Sequence, residues 1–139
     1  MQHGDLETWS RTRILVILEG VLATVTPITE KPGWGRRERV TGYDLEWHDV
    51  PLKRMIVMAG RFDVAFDIVT FHDQDVADEA ADYLTSIPIP YETIESANFK
   101  AFCSKLRFRI DVQQIIDSDP ERLHHYGQLG RQVLTGGDF

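Results

Sequence analysis

The chain has 139 residues, of which 42% are hydrophobic and 27% are charged, so we expect one soluble domain over residues 1–139 with a single core. The formal net charge of −7 disfavours nucleic acid as a partner, because an acidic surface repels phosphates. The single cysteine, Cys103, excludes an internal disulfide and fits a reducing, cytoplasmic compartment, and no run of residues is long and apolar enough to span a membrane or to read as a secretory signal.

Two aliphatic runs predict strands that are buried on both faces. They cover residues 13–18 and 64–70, and neither has the polar face of a half-exposed strand. Between them, residues 21–28 and 39–47 are rich in β-branched and aromatic side chains and flank a segment with Pro and Gly. We therefore predict a β-hairpin, or flap, over about residues 21–48.

Four helices are predicted from capping residues followed by apolar side chains at helical spacing. The predicted starts are Asp49, Asp73 or Asp75, Ser96 and Asp119, and two predicted ends are Gly60 and Gly127. Shorter strands are predicted over residues 87–94, 112–116 and 131–134. The first of these should be short or lie at a sheet edge because it contains two prolines.

The alternation of strands and helices predicts an α/β, three-layer, Rossmann-like domain with a mainly parallel five-stranded sheet. Ligands of such sheets bind beyond the carboxyl ends of the strands. This rule points to Glu19 after the first strand, Thr70 after the next buried strand, and Asp117 with Asp119 after a later one. Three carboxylates there would suit Mg²⁺, with Thr70 donating to a substrate phosphate. Helix capping by Asp119 and a simple strand end at Thr70 are the alternatives.

Three segments around these residues resemble motifs of the haloacid dehalogenase superfamily, in the family's order. Residues 14–22 (ILVILEGVL) resemble the first motif, an apolar strand followed by Asp-x-Asp-Gly. Residues 68–70 resemble the second motif, and residues 115–119 resemble the fourth, which ends in paired acids. The predicted flap is similar to that of the superfamily. The resemblance spans about residues 13–134 and implies a haloacid dehalogenase (HAD)-like fold with a phosphatase-like site.

The same resemblance implies that the phosphatase chemistry is lost. The position of the family's nucleophilic Asp holds Ile17, which has no atom that can attack phosphorus. The general acid–base position holds Glu19, which is one methylene longer than Asp. For the family's lysine the candidates are Lys105, preferred because it is nearer the later motif, and Lys100, which could equally be a solvated helix residue. The degenerate site is therefore Glu19, Thr70 and Lys105.

We expect a catalytically inactive domain that binds a protein or a small phosphorylated ligand and needs no cofactor. Small divergent members of the superfamily are familiar from bacteria and bacteriophages, so the resemblance implies an accessory protein of that kind. Two alternatives stay open. One is a Mg²⁺-dependent phosphohydrolase or nucleotidase in which Glu19 or Asp117 positions the attacking water, with Mg²⁺ bound by Glu19, Asp117 and Asp119. The other is a structural subunit of a larger assembly.

The tip of the predicted flap is a candidate partner-binding surface, formed by Trp34, Arg36 and Arg37. Residues 31–39 carry four basic side chains and one acidic side chain, and Trp34 lies among them. Exposed Trp and Arg are frequent anchors of protein interfaces, and they can also stack on a base. The alternative is a solvated turn whose Trp packs against the domain.

Two further groups of residues are predicted to be structural. Cys103 falls on the apolar stripe of its helix, so we expect it in the core. His124 and His125 are adjacent on a short helix and point apart, so we do not expect them to share a ligand.

Overall fold

A computed structural model describes residues 12–31, 33, 35, 37–136 and 139 of the chain. Its elements are β1 (Thr12–Ile17), β2 (Ala23–Glu30), β3 (Arg39–Trp47), α1 (Asp49–Arg61), β4 (Val64–Thr70), α2 (Gln74–Ser86), β5 (Thr93–Ser96), α3 (Phe99–Leu106), β6 (Val112–Asp117), α4 (Pro120–Gln128) and β7 (Val133–Thr135). Five strands form a parallel sheet in the order β5-β4-β1-β6-β7, and β2 pairs with β3 in an antiparallel hairpin. The predicted α/β class and the five-stranded, mainly parallel sheet are confirmed.

The central strand β1 contributes to a separate core on each face of the sheet. Ile14 and Val16 pack with residues of α1 and α2, whereas Leu15 and Ile17 pack with residues of α3 and α4. Successive side chains of a strand point to opposite faces, so a strand between two cores must be apolar throughout. The sheet is thus the middle of three layers. No helix in the described part of the chain is both long enough and apolar enough to cross a membrane.

The order of the strands reverses at β1. After β1 the chain moves through the hairpin and α1 to β4 and β5 on one side, and it then returns to β6 and β7 on the other side. Since β4, β1 and β6 are parallel neighbours, their carboxyl ends share one edge of the sheet, which we call the carboxyl edge. Crevices at such reversals are where open parallel sheets bind ligands.

The start of α3 differs from its prediction. Ser96 does not cap the helix, because it ends β5 and its hydroxyl donates to the carbonyl of His72. The cap is Asn98, whose side-chain oxygen accepts a hydrogen bond from the amide of Ala101 at 3.2 Å. Ser and Asn are both favoured as cap residues. Ser96 is not the cap because it belongs to β5, which pairs with β4.

The other helix ends are closer to their predictions. Asp119 caps α4 as predicted and accepts from two backbone amides of its first turn, at 2.9 and 3.2 Å. Asp49 is the first residue of α1 rather than its cap, which is His48. Gly60 and Gly127 lie inside α1 and α4, each of which continues one residue further. Helix ends of this kind are set by local contacts more than by one residue type.

A buried carboxylate in β4, that of Asp67, bonds to side chains of both neighbouring strands. Asp67 is only 4% exposed, and it accepts hydrogen bonds from Arg13 of β1 and from Thr93 of β5, each at 2.7 Å. Arg13 also reaches Glu92 at 3.0 Å. The Arg13–Asp67 ion pair and the Thr93–Asp67 hydrogen bond link three neighbouring strands, and Arg109 lies 3.7 Å from the same carboxylate. No pattern in the sequence predicted this arrangement.

We expect Arg13→Met to lower the free energy of unfolding by about 3–5 kcal/mol, because it removes the close cation from a buried carboxylate. The matched control is Arg39→Met, whose ion pair with Glu30 is long, 3.9 Å, and exposed, and which should cost less than about 1 kcal/mol. Urea denaturation of both variants measures the difference. Equal losses would contradict the structural role of the Arg13–Asp67 pair.

Candidate functional site at the carboxyl edge

The position that resembles the phosphatase nucleophile lies in the hydrophobic core. Ile17 ends β1 and has 0% of its surface exposed. It belongs to the cluster that α3 and α4 cover, together with Val69, Phe102 and Tyr126. The surroundings of this side chain are therefore closely packed apolar groups rather than an acidic pocket.

Glu19 and Thr70, which were predicted to share a site, are joined directly. The hydroxyl of Thr70 donates to one carboxylate oxygen of Glu19 at 2.7 Å, and the backbone amide of Phe71 donates to the other at 2.8 Å. The Thr70 hydroxyl also accepts from the amide of His72 at 3.2 Å. Both oxygens of Glu19 are thus used to hold the end of β1 against the end of β4.

Asp117 ends β6, is fully buried and accepts five hydrogen bonds. Its Oδ1 accepts from the amides of Ser118 and Asp119 and from Nη2 of Arg122, at 2.7, 3.1 and 2.9 Å. Its Oδ2 accepts from Nε of Arg122 at 2.7 Å and from the hydroxyl of Tyr126 at 2.8 Å. Partners within the protein therefore occupy both oxygens of the carboxylate.

Arg122 brings a positive charge into this group of acids. Its guanidinium lies 5.2 Å from the centre of the Phe71 ring, and its Nη1 is 3.5 Å from Asp119. Burial lowers the pKa of Arg122, but Asp117, Asp119 and Glu19 together raise it well above its usual range. Arg122 thus offsets part of the negative charge of the three acids that the sequence placed at this edge.

Sequence reasoning missed Arg122, although one signal was present. Arg122 follows Asp119, the predicted cap of α4, by three residues, and residues three apart lie on the same side of a helix. A cation on the first turn of α4 is therefore held close to the end of β6, from which that turn starts.

The three predicted metal ligands do not form one cluster. Asp119 caps α4, while Asp117 and Glu19 are engaged with different partners. Across the described ranges, no three His, Cys, Asp or Glu side chains are placed to hold a metal ion together. Magnesium binding by Glu19, Asp117 and Asp119 stays a prediction, and it would require the Asp117–Arg122 pair to open.

The two candidate lysines lie at opposite ends of α3. This helix starts near the carboxyl edge after β5 and returns the chain to the start of β6, so Lys105 in its last turn lies toward the amino end of the sheet. Lys100 is in the first turn and lines a groove between α3 and α4. The structure therefore does not bring Lys105, the preferred candidate, next to Glu19 and Thr70.

The hairpin contacts the carboxyl edge through Tyr43 of β3. The Tyr43 hydroxyl donates to Asp73 at 3.0 Å, and its ring meets the edge of the His72 ring at a centroid distance of 5.5 Å. Asp73 is the N-cap residue of α2, but its side chain makes no capping hydrogen bond. The hydrogen bond to Asp73 raises the pKa of Tyr43. The hairpin is thus held close to the residues that follow β4.

The predicted partner-binding residues are only partly described. Trp34 and Arg36 lie outside the described residues, whereas Arg37 is described and exposed. The neighbouring strand ends are exposed as well, since the last six residues of β2 include only one, Val25, that is partly buried. Contact with a partner through the hairpin tip stays a prediction.

No protein-family model, curated protein or solved structure matches this chain. The function must therefore be argued from the geometry. A carboxyl edge whose acids are bound to an internal arginine, to backbone amides and to hydroxyls is well suited to hold the fold together. The oxygens of Asp117 and Glu19 are engaged in this way within the protein.

Tyr126 gives the carboxyl edge a measurable response to pH. Burial and the neighbouring Asp117 raise the pKa of Tyr126 well above its ordinary value of 10.0. The folded state therefore keeps this proton at a pH where the unfolded chain loses it. The stabilisation is fully present below about pH 10 and is lost progressively as the pH rises above that value.

We expect Tyr126→Phe to lower the free energy of unfolding at neutral pH by about 1.5–3 kcal/mol, because a hydrogen bond to a charged acceptor is lost. Above about pH 10 the variant should lose stability less steeply than the parent. Urea denaturation at neutral and alkaline pH measures both effects. Tyr91→Phe, whose hydroxyl meets Thr85 at the surface, is the control. An unchanged alkaline slope in Tyr126→Phe would contradict the assignment.

Proposed function

We propose that this chain is a haloacid dehalogenase-like domain that has lost phosphoryl-transfer chemistry and acts by binding. The observation that carries the proposal is the complete burial of Ile17 in an apolar cluster, at the position where the resemblance requires a nucleophile. Covalent phosphoryl transfer needs an attacking atom in line with the phosphorus, and an isoleucine in the core offers none.

The arrangement of the strands supports the likeness of fold. The segments that resemble the three motifs lie at the carboxyl ends of β1, β4 and β6. These strands are neighbours in one parallel sheet. Glu19, Thr70 and Asp117 therefore lie along the same edge, as a shared phosphatase-like ancestry would require. The β2–β3 hairpin follows β1 directly, at the place where the resemblance expects a flap.

The hydrogen bonds at the carboxyl edge support the loss of phosphoryl-transfer chemistry. A metal-dependent phosphohydrolase needs carboxylate oxygens that are free to hold Mg²⁺ or to orient water. Here the oxygens of Asp117 accept from Arg122 and Tyr126, and those of Glu19 accept from Thr70 and a backbone amide. These contacts favour binding over the alternative of a Mg²⁺-dependent phosphohydrolase.

The hairpin is the element that we expect to meet a protein partner. Ile28 of β2 and Val40 of β3 are 50% and 49% exposed, although both are apolar. In the chain they are close to the basic residues Lys31, Arg37 and Arg39 and to the acidic residues Glu30 and Glu38, and Arg39 pairs with Glu30 at 3.9 Å. A partner with an apolar patch and acidic neighbours would complement this surface. A cytoplasmic setting, which the single Cys103 fits, is part of the same proposal.

We expect the purified protein to show no phosphoester turnover above the buffer rate in millimolar Mg²⁺. The substrates are p-nitrophenyl phosphate, nucleoside monophosphates and sugar phosphates, and released phosphate is the readout. The expectation follows from the absence of an attacking group beside Ile17.

Two isosteric variants make the assay decisive. Glu19→Gln changes a residue of the carboxyl edge, whereas Glu95→Gln changes an exposed residue of β5 and serves as the control. Turnover that disappears in folded Glu19→Gln but persists in Glu95→Gln would overturn the proposal and favour the phosphohydrolase. Turnover that is equal in all three proteins would show that Glu19 has no part in it.

A further inference from the structure

A groove between α3 and α4 lies on the face of the sheet opposite the hairpin. The hairpin residues pack into the core of α1 and α2, whereas the groove opens above the core of α3 and α4. Its volume is about 470 Å³, within the range of roughly 300–1,000 Å³ that small-molecule sites occupy. The groove is therefore large enough for a ligand, and its Phe99 ring contacts the Phe71 ring beside the carboxyl edge at a centroid distance of 5.1 Å.

The side chains at the rim of the groove are cationic. Lys100 of α3 and Arg107 just after it carry positive charges. None of the lining residues that the structure describes is acidic. Over the described ranges, neither Lys100 nor Arg107 forms a salt bridge.

This concentration of positive charge is unusual in a chain whose net charge is −7. A concave surface with one sign of charge and a low-dielectric floor focuses its field on the opening, which attracts an ion of opposite sign. The rim therefore selects for an anion, even though the protein as a whole repels anions.

The floor of the groove is apolar and partly aromatic. It is formed by Phe99, Cys103 and Leu129, each of which is half-buried. The ring of His125 meets the edge of the Phe99 ring at a centroid distance of 5.7 Å. Cys103, which was predicted to be in the core, packs against the core of α3 and α4 and is partly exposed where it lines this groove. A flat apolar group would cover these side chains and remove their surface from water.

We propose that the groove binds a small organic anion in which a flat apolar group carries a sulfonate, carboxylate or phosphate. The charged group lies against Lys100 and Arg107, and the apolar group lies on Phe99, Cys103 and Leu129. The inference goes beyond the proposed function, since it uses none of the residues of the carboxyl edge and holds whether or not the chain hydrolyses phosphoesters.

The test uses Cys103, the single cysteine of the chain, as a reporter on the full-length protein. The rate of its alkylation by iodoacetamide is followed by mass spectrometry while naphthalene-1-sulfonate is added. This probe is not a phosphoester, so any phosphatase activity leaves it intact. We expect saturable protection, half-complete below about 1 mM. Inorganic sulfate offers only the negative charge, and neutral 1-naphthalenemethanol offers only the flat apolar group. Each should protect Cys103 from alkylation far less.

A matched pair of lysine variants separates the groove from general charge. Lys100→Gln removes a cation of the rim, whereas Lys105→Gln removes one from the same helix outside the groove. We expect about tenfold weaker protection in Lys100→Gln, the loss of one charge-assisted contact, and no change in Lys105→Gln. The alkylation rate of each variant with probe is compared with the rate of the same variant without probe. This is needed because the charge of the substituted lysine also affects the reactivity of the Cys103 thiol. Both positions are exposed, so both variants should fold.

Three results would overturn the inference. The first is the absence of saturable protection by naphthalene-1-sulfonate, or half-protection only above about 1 mM. The second is equal protection by the neutral alcohol, which would show that charge has no role. The third is an equal effect of Lys100→Gln and Lys105→Gln.

Discussion

A carboxylate that is buried away from water must be satisfied by hydrogen bonds and by an opposite charge, and Asp117 meets that demand at the centre of this structure. Its five hydrogen bonds come from two backbone amides, the guanidinium of Arg122 and the hydroxyl of Tyr126. Both side chains belong to α4, so the carboxylate fixes this helix against the end of β6. Arg122 also lies over Phe71, the residue that follows β4. One ion pair therefore joins α4 to the ends of two strands.

The same pair determines which chemistry the carboxyl edge can support. Arg122 already supplies one positive charge to this edge, and each oxygen of Asp117 and of Glu19 already accepts at least one hydrogen bond. With Ile17 in the core and the carboxylates of Asp117 and Glu19 engaged within the protein, the polar residues of the edge contribute to the stability of the fold. Other described surfaces include the exposed hairpin with Ile28 and Val40, the cationic groove between α3 and α4 and an apolar groove beside α1. We propose that binding uses a surface of this kind.

Much of the fold was predictable because its constraints are local. The aliphatic run of β1 predicted a strand between two cores, and parallel strands share an edge, so Glu19, Thr70 and Asp117 were predicted to lie together. Contacts between side chains far apart in sequence were not predictable. Its position three residues after the cap Asp119 placed Arg122 near the end of β6, but no local pattern indicated that it would pair with Asp117. The groove was missed for the same reason, since the apolar stripe that placed Cys103 in the core does not show how closely α3 and α4 approach.

The central claim is that partners within the protein engage the carboxylates of the carboxyl edge, and calorimetric titration of the full chain with MgCl₂ tests it most directly. The titration is run on the parent protein and on Glu19→Gln. We expect no saturable heat at millimolar Mg²⁺ in either protein, because the oxygens of Asp117 and Glu19 are already engaged. Saturable binding to the parent that is lost in Glu19→Gln would contradict the claim.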